Sequence, residues 1–123
     1  AGEVAAGEGV SLDLRHTEPL RSGAPVRWSL VLRNGAGPLD LVFGSAKDGD
    51  VVLRQDGAER YRWSAERFFA QVVRTVPVGA GETATFVLED DALRVAPGRY
   101  DLEASLAAGA AVPPLTRTVT VAP

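Results

Sequence analysis

The side chains able to do chemistry are few in this chain and too scattered to form a conventional catalytic centre. The one histidine, His16, is followed by Thr17-Glu18-Pro19. Nucleophilic hydrolysis needs a nucleophile beside a base that a third group orients, and no Gly-x-Ser-x-Gly elbow occurs anywhere in the sequence. His16 therefore reads as a solvated loop or edge residue. Cys and Met are both absent, which removes disulfides, thiolate catalysis and zinc–sulfur sites. With one histidine, a copper or zinc site of the usual kind cannot be assembled either. Asp48-Gly49-Asp50 and Glu89-Asp90-Asp91 carry oxygens of the kind calcium takes, but neither has the spacing of an EF-hand loop. Both read as polar turn residues that keep a loop in water. The expectation is a domain with no catalytic residue, no metal ligand and no cofactor, built to bind rather than to catalyse.

The elements that must position any binding surface follow from periodicity. The chain has 123 residues, enough for one domain with one core. Its formal charge is −3 with both signs mixed along the sequence, so it lacks the basic stripe that nucleic acid requires. No apolar run approaches the roughly 18 residues of a membrane span. Residues 1–9 are mostly Ala, Gly and Glu and are expected to be a flexible segment outside the fold, with the single domain running over 10–123. Val10, Leu12 and Leu14 alternate with polar residues, as do Val26, Trp28, Leu30 and Leu32, which predicts strands with one buried face. Leu39, Leu41 and Phe43 continue the rhythm after the turn Asn34-Gly35-Ala36-Gly37-Pro38. Val51-Val52-Leu53 and Tyr61-Arg62-Trp63 flank Asp56-Gly57, a strong hairpin dipeptide. Ser64 as a cap and Glu66 and Arg67 as helix formers predict one short helical turn over 64–69. Strands return over 71–77, 83–88 and, after Pro97-Gly98, through Tyr100, Leu102, Ala104 and Leu106, with a last one over 116–121. Tyr100 stands where a tyrosine corner would. About eight short antiparallel strands with frequent turns predict an all-β, immunoglobulin-like sandwich.

Several of these landmarks recur together in one family. The strand ending in Asn34, Leu39-Asp40-Leu41-Val42-Phe43-Gly44-Ser45, Val51-Val52-Leu53 with its Asp-Gly turn, Trp63-Ser64 with Phe68 or Phe69 and Gln71 downstream, Gly81-Glu82, Phe86 and Pro97-Gly98-Arg99-Tyr100 resemble the BsuPI family of bacterial intracellular proteinase inhibitors. The sequence departs from that pattern near the acidic connection, where Glu89-Asp90-Asp91-Ala92-Leu93 stands in place of a stretch with Trp. The resemblance implies an immunoglobulin-like sandwich, a protein partner and inhibition of a serine protease.

Two segments are candidates for meeting that partner. Trp63 reads as a plug between the sheets, with Phe68 and Phe69 covering the end of the core. The alternative is that residues 64–71 protrude and an exposed aromatic anchors a partner, which makes Ser64, Arg67, Phe68, Phe69 and Gln71 candidate binding residues. The second segment is 107–115. Val112, Pro113, Pro114 and Leu115 would form an exposed loop pre-stiffened by proline, losing little entropy on docking; the plainer reading is a connector. A monomer or weak oligomer is expected, and the compartment, cytoplasmic or exported, stays open. The competing function is a non-inhibitory adhesion or scaffold module of a bacterial envelope protein.

Overall fold

Along residues 26–34 the apolar positions Val26, Trp28, Leu30 and Leu32 are all buried, while Arg27 and Arg33 are exposed, the period-two pattern of a strand with one face in the core. The computed structural model describes residues 4–7, 9–108 and 112–123. Among them are eleven strands and no helix: β1 (Val4–Gly7), β2 (Val10–His16), β3 (Leu20–Arg21), β4 (Val26–Asn34), β5 (Leu39–Phe43), β6 (Gly49–Gln55), β7 (Ala58–Arg62), β8 (Arg74–Val78), β9 (Thr83–Asp90), β10 (Gly98–Leu106) and β11 (Leu115–Ala122). Consequently no helix among the described residues is long and apolar enough to cross a membrane.

The strands make a four-stranded sheet in the order β1-β2-β4-β9, a five-stranded sheet in the order β3-β11-β10-β6-β7, and the pair β5-β8. Every pairing is antiparallel except β3 on β11. The two larger sheets close over one core in which Leu12, Trp28, Leu30 and Leu88 meet Val51, Leu53, Leu102 and Leu115. Phe43 of β5 packs on Phe86 of β9 with ring centroids 5.6 Å apart, which ties the small pair to the same core. The result is an all-β sandwich.

Turn chemistry explains the connections. Asp56 (φ 53°) and Gly57 (φ 79°) both take the left-handed region, which a two-residue hairpin with the twist of its strands requires. Asn34, buried at the end of β4, donates from Nδ2 to the carbonyls of Gly37, Val78 and Gly79 and accepts at Oδ1 from the Ala36 N–H, so one side chain knots two turns together. The Tyr100 hydroxyl donates to the Ala96 carbonyl at 2.6 Å across the turn that launches β10.

Three expectations are corrected. Val4–Gly7, expected to lie outside the fold, pairs antiparallel with β2; short residues hide the strand, which is specified by its partner. With the two-residue β3, this raises the strand number above eight. Residues 64–69 form no helical turn. Two tight turns follow one another instead, with Ala65 N–H donating to Arg62 O and Arg67 N–H to Ser64 O. Glu66 at φ 63° leaves the right-handed region, and the Ser64 hydroxyl donates to Asp50 rather than capping a helix.

A candidate protein-binding loop

The chain leaves β7 at Arg62 and does not enter β8 until Arg74, and the residues between are held at both ends. At the first end, the Trp63 N–H continues the β7 ladder by donating to Val51 O at 2.9 Å. Asp50, next to it on β6, is buried and accepts from the Ser64 backbone N–H at 3.0 Å and from the Ser64 hydroxyl at 2.5 Å. Lys47 and Arg62 also reach its Oδ2, each at 3.2 Å. Burial pushes the Asp50 carboxyl up, but the bonds from Ser64 and Lys47 outweigh it, and the group is held below the usual carboxylate range. Asp50 is thus a structural anchor and not the solvated turn residue that Asp48-Gly49-Asp50 suggested. Among the described residues no group of three or more Asp, Glu, His or Cys could hold a metal ion.

Trp63 lies between the sheets, 8% exposed, and donates from Nε1 to the Glu89 carbonyl at 2.9 Å. Arg67 folds back over its indole with the guanidinium carbon 4.4 Å from the ring centroid. There it donates to the carbonyls of Trp63 (2.7 Å) and Glu89 (3.2 Å) and pairs with Asp90 at 3.5 Å. Phe69 packs against the same indole, 5.9 Å between centroids. Behind them Trp28 Nε1 donates to the Tyr61 hydroxyl (3.3 Å), which donates to Asp90 (2.8 Å), a chain that links both sheets. Burial, foremost, and the Asp90 carboxylate push the Tyr61 hydroxyl far above its ordinary range.

At the second end, Arg74 donates to Ser45 O at 3.0 Å, pairs with Asp48 at 2.9 Å and lies over Phe43. In between, the Ala46 N–H donates to Ala70 O at 2.9 Å. Much of what these anchors leave outside is apolar, beside the exposed Glu66 and Gln71: Phe68 is 100% exposed and Val73 73%, with Val72 and, on the neighbouring strand β5, Val42 half exposed.

The candidates read from sequence therefore divide. Ser64, Arg67 and Phe69 are anchors of the loop, whereas Phe68 and the exposed Gln71 are its free surface. Phe68 does not cover the end of the core, contrary to what its place after Trp63 predicts: it is fully exposed, and the preceding residue's guanidinium lies over Trp63 instead. In the second segment Val112 is 4% exposed and Leu115 fully buried, so of the four residues 112–115 expected to be exposed only Pro113 and Pro114 are; alternation carries Leu115 inward as the first residue of β11. Residues 109–111 of that segment lie outside the described residues. The two segments do come to the same end of the sandwich. Ala46 bonds the first loop, and the Asp48 carbonyl accepts from the Ala107 N–H at the start of the second. Sequence reasoning missed Asp50 and Arg74. Asp50 reads as a polar turn residue and Arg74 carries no local signal, and only the register of β6 and of β8 shows what they hold.

A family model described as BsuPI, intracellular proteinase inhibitor, matches residues 12–111. Among solved structures, beta-glucosidase from Listeria innocua in complex with gluconolactone aligns over 93% of this chain at 13% identity with a TM-score of 0.51. The same enzyme in complex with glucose gives a TM-score of 0.48 at 13% identity. This chain spans 16% of the length of that enzyme, and at such identity the likeness concerns the fold alone. None of the curated proteins matches the sequence. The family match, by contrast, runs from the first core residue of β2 through the whole of the pinned loop and β10, and on that extent the chain belongs to the BsuPI family of intracellular proteinase inhibitors.

Proposed function

We propose that this domain inhibits a serine protease by presenting residues 64–73 to it, with Phe68 as the side chain that enters the enzyme's apolar specificity pocket. The observation that carries this reading is the contrast between Phe68 and its neighbours. Its ring is fully exposed, while Arg67 and Phe69 on either side are both fastened to Trp63. An exposed phenyl ring is costly to leave in water, roughly 2 kcal/mol relative to burial, and a rigid aromatic on a pre-ordered backbone is the usual composition of a binding hot spot. Arg67 is adjacent but engaged by two carbonyls and Asp90, so a target preferring large apolar residues fits better than one preferring basic ones.

Titration against serine proteases of both preferences tests this. Inhibition of at least one apolar-preferring enzyme is expected, weakened about a hundredfold by Phe68→Ala, in line with a hot spot of about 3 kcal/mol. No inhibition at ten-micromolar domain, or full potency of the variant, would refute it.

A further inference from the structure

Beside the pinned loop, between β7 and the connection after β9, is a cleft of about 450 Å³. Arg60, Arg62, Arg67 and Arg94 line it, with Trp63 as its wall. In a chain whose net charge is −3, four guanidinium groups around one cleft form a local field of opposite sign. They are not equivalent. Arg62 is occupied by Glu59 and Asp50, and Arg67 by Asp90. Arg60 and Arg94 have no carboxylate within ion-pair distance among the described residues. Glu66, at the same cleft, likewise pairs with no cation there, which leaves an excess of positive charge.

Arg60 reaches the cleft through an irregularity in the ladder. Leu53 pairs with Tyr61 and Arg54 with Glu59, so Arg60 is the extra residue of a bulge in β7. Bulges of this kind re-aim a side chain beside a working surface. A larger groove of about 620 Å³ exists at the opposite edge of the five-stranded sheet, near Leu20 and Thr120, but Arg117 there already donates to the Leu14 carbonyl.

We infer that this cleft receives a carboxylate-bearing segment of the same partner protein, so that the domain recognises an enzyme whose apolar pocket is bordered by acidic residues. The inference rests on the loop reading for the identity of the partner, while the cleft's preference for carboxylates rests on its own geometry. Arg60 and Arg94 offer planar forks suited to carboxylate oxygens. Partly exposed charges at a rim act on the encounter rate more than on the lifetime of a complex.

The test uses the whole domain and a capped hexaglutamate peptide, followed by NMR at the Trp63 indole N–H. Saturable binding is expected, weakened at least tenfold in the double variant Arg60→Glu with Arg94→Glu and abolished by raising salt to 0.5 M, where exposed charges are screened. Phe68→Ala should leave peptide binding unchanged while weakening protease binding. Equal hexaglutamate affinity of the wild type and the double variant, or none in either, overturns the cleft assignment. Full inhibitory potency of the Phe68→Ala variant overturns the loop reading whatever the double variant does, so the two failures are separable. With an inhibited protease in hand, the double variant should slow association about tenfold and leave dissociation within twofold.

Discussion

Asp50 shows how one carboxylate can hold an exposed loop in place. It bonds both the backbone and the hydroxyl of Ser64 and accepts from Lys47 and Arg62, so removing its charge strands several donors at once. Lys47 and Arg62 are partly solvated, which makes the loss smaller than for a fully buried pair; Asp50→Asn should cost about 2 kcal/mol at neutral pH by urea unfolding. The pH dependence has a defined sign. The folded carboxyl lies below its unfolded value of about 3.9, so its stabilisation is present above that value and is lost as pH falls through the folded one. The gap between wild type and variant should therefore be full at pH 6 and shrink below pH 4. A gap of constant size down to pH 2 would contradict the anchor role.

At the scale of elements, close approach of strands sets the sharpest constraints. A Cβ on Gly49, at the start of β6, would lie 2.4 Å from the Ser105 carbonyl oxygen and 2.7 Å from Leu30 Cδ1. A backbone oxygen cannot move aside without loosening the β6–β10 ladder, so Gly49→Ala should destabilise by about 2–3 kcal/mol, read as a drop in Tm of several degrees; an unchanged Tm would refute the packing. Gly57→Ala, where nothing lies within 4 Å, should cost less and only through its positive φ. The nine strands with apolar alternation or a turn dipeptide were legible from sequence because both signals are local. β1 and β3 were not, since Val4–Gly7 and Leu20–Arg21 are too short to carry a period and exist through β2 and β11. The helical turn over 64–69 failed for a related reason. Ser64 and Glu66 have the local chemistry of a helix start, but the distant Asp50 claims the hydroxyl. The candidacy of residues 64–71 was legible from Trp63-Ser64 and the aromatics after it. The division between anchors and free surface was not, because it depends on Glu89, Asp90 and Ala46, which are remote in sequence.

For the molecule as a whole, the core and the proposed contact surface are separate. Trp63 belongs to the core cluster, while Phe68 lies entirely outside it. Trp63→Ala should cost about 3–5 kcal/mol and weaken every activity of the loop, whereas Phe68→Ala should leave the unfolding midpoint unchanged within about 0.5 kcal/mol. A loss of stability in the Phe68 variant comparable to that of the Trp63 variant would show that the ring packs after all.

The fastening of the loop at Ser64, Arg67, Phe69, Ala70 and Arg74, with Phe68 and residues 71–73 left outside, has a consequence for how such a domain can change. Mutation at the unfastened positions meets no penalty from folding, so lineages can exchange those side chains freely while the scaffold stays constant. A protein arranged in this way can follow a drifting target enzyme, or be retargeted in the laboratory by randomising a handful of codons, without a compensating change anywhere in its interior.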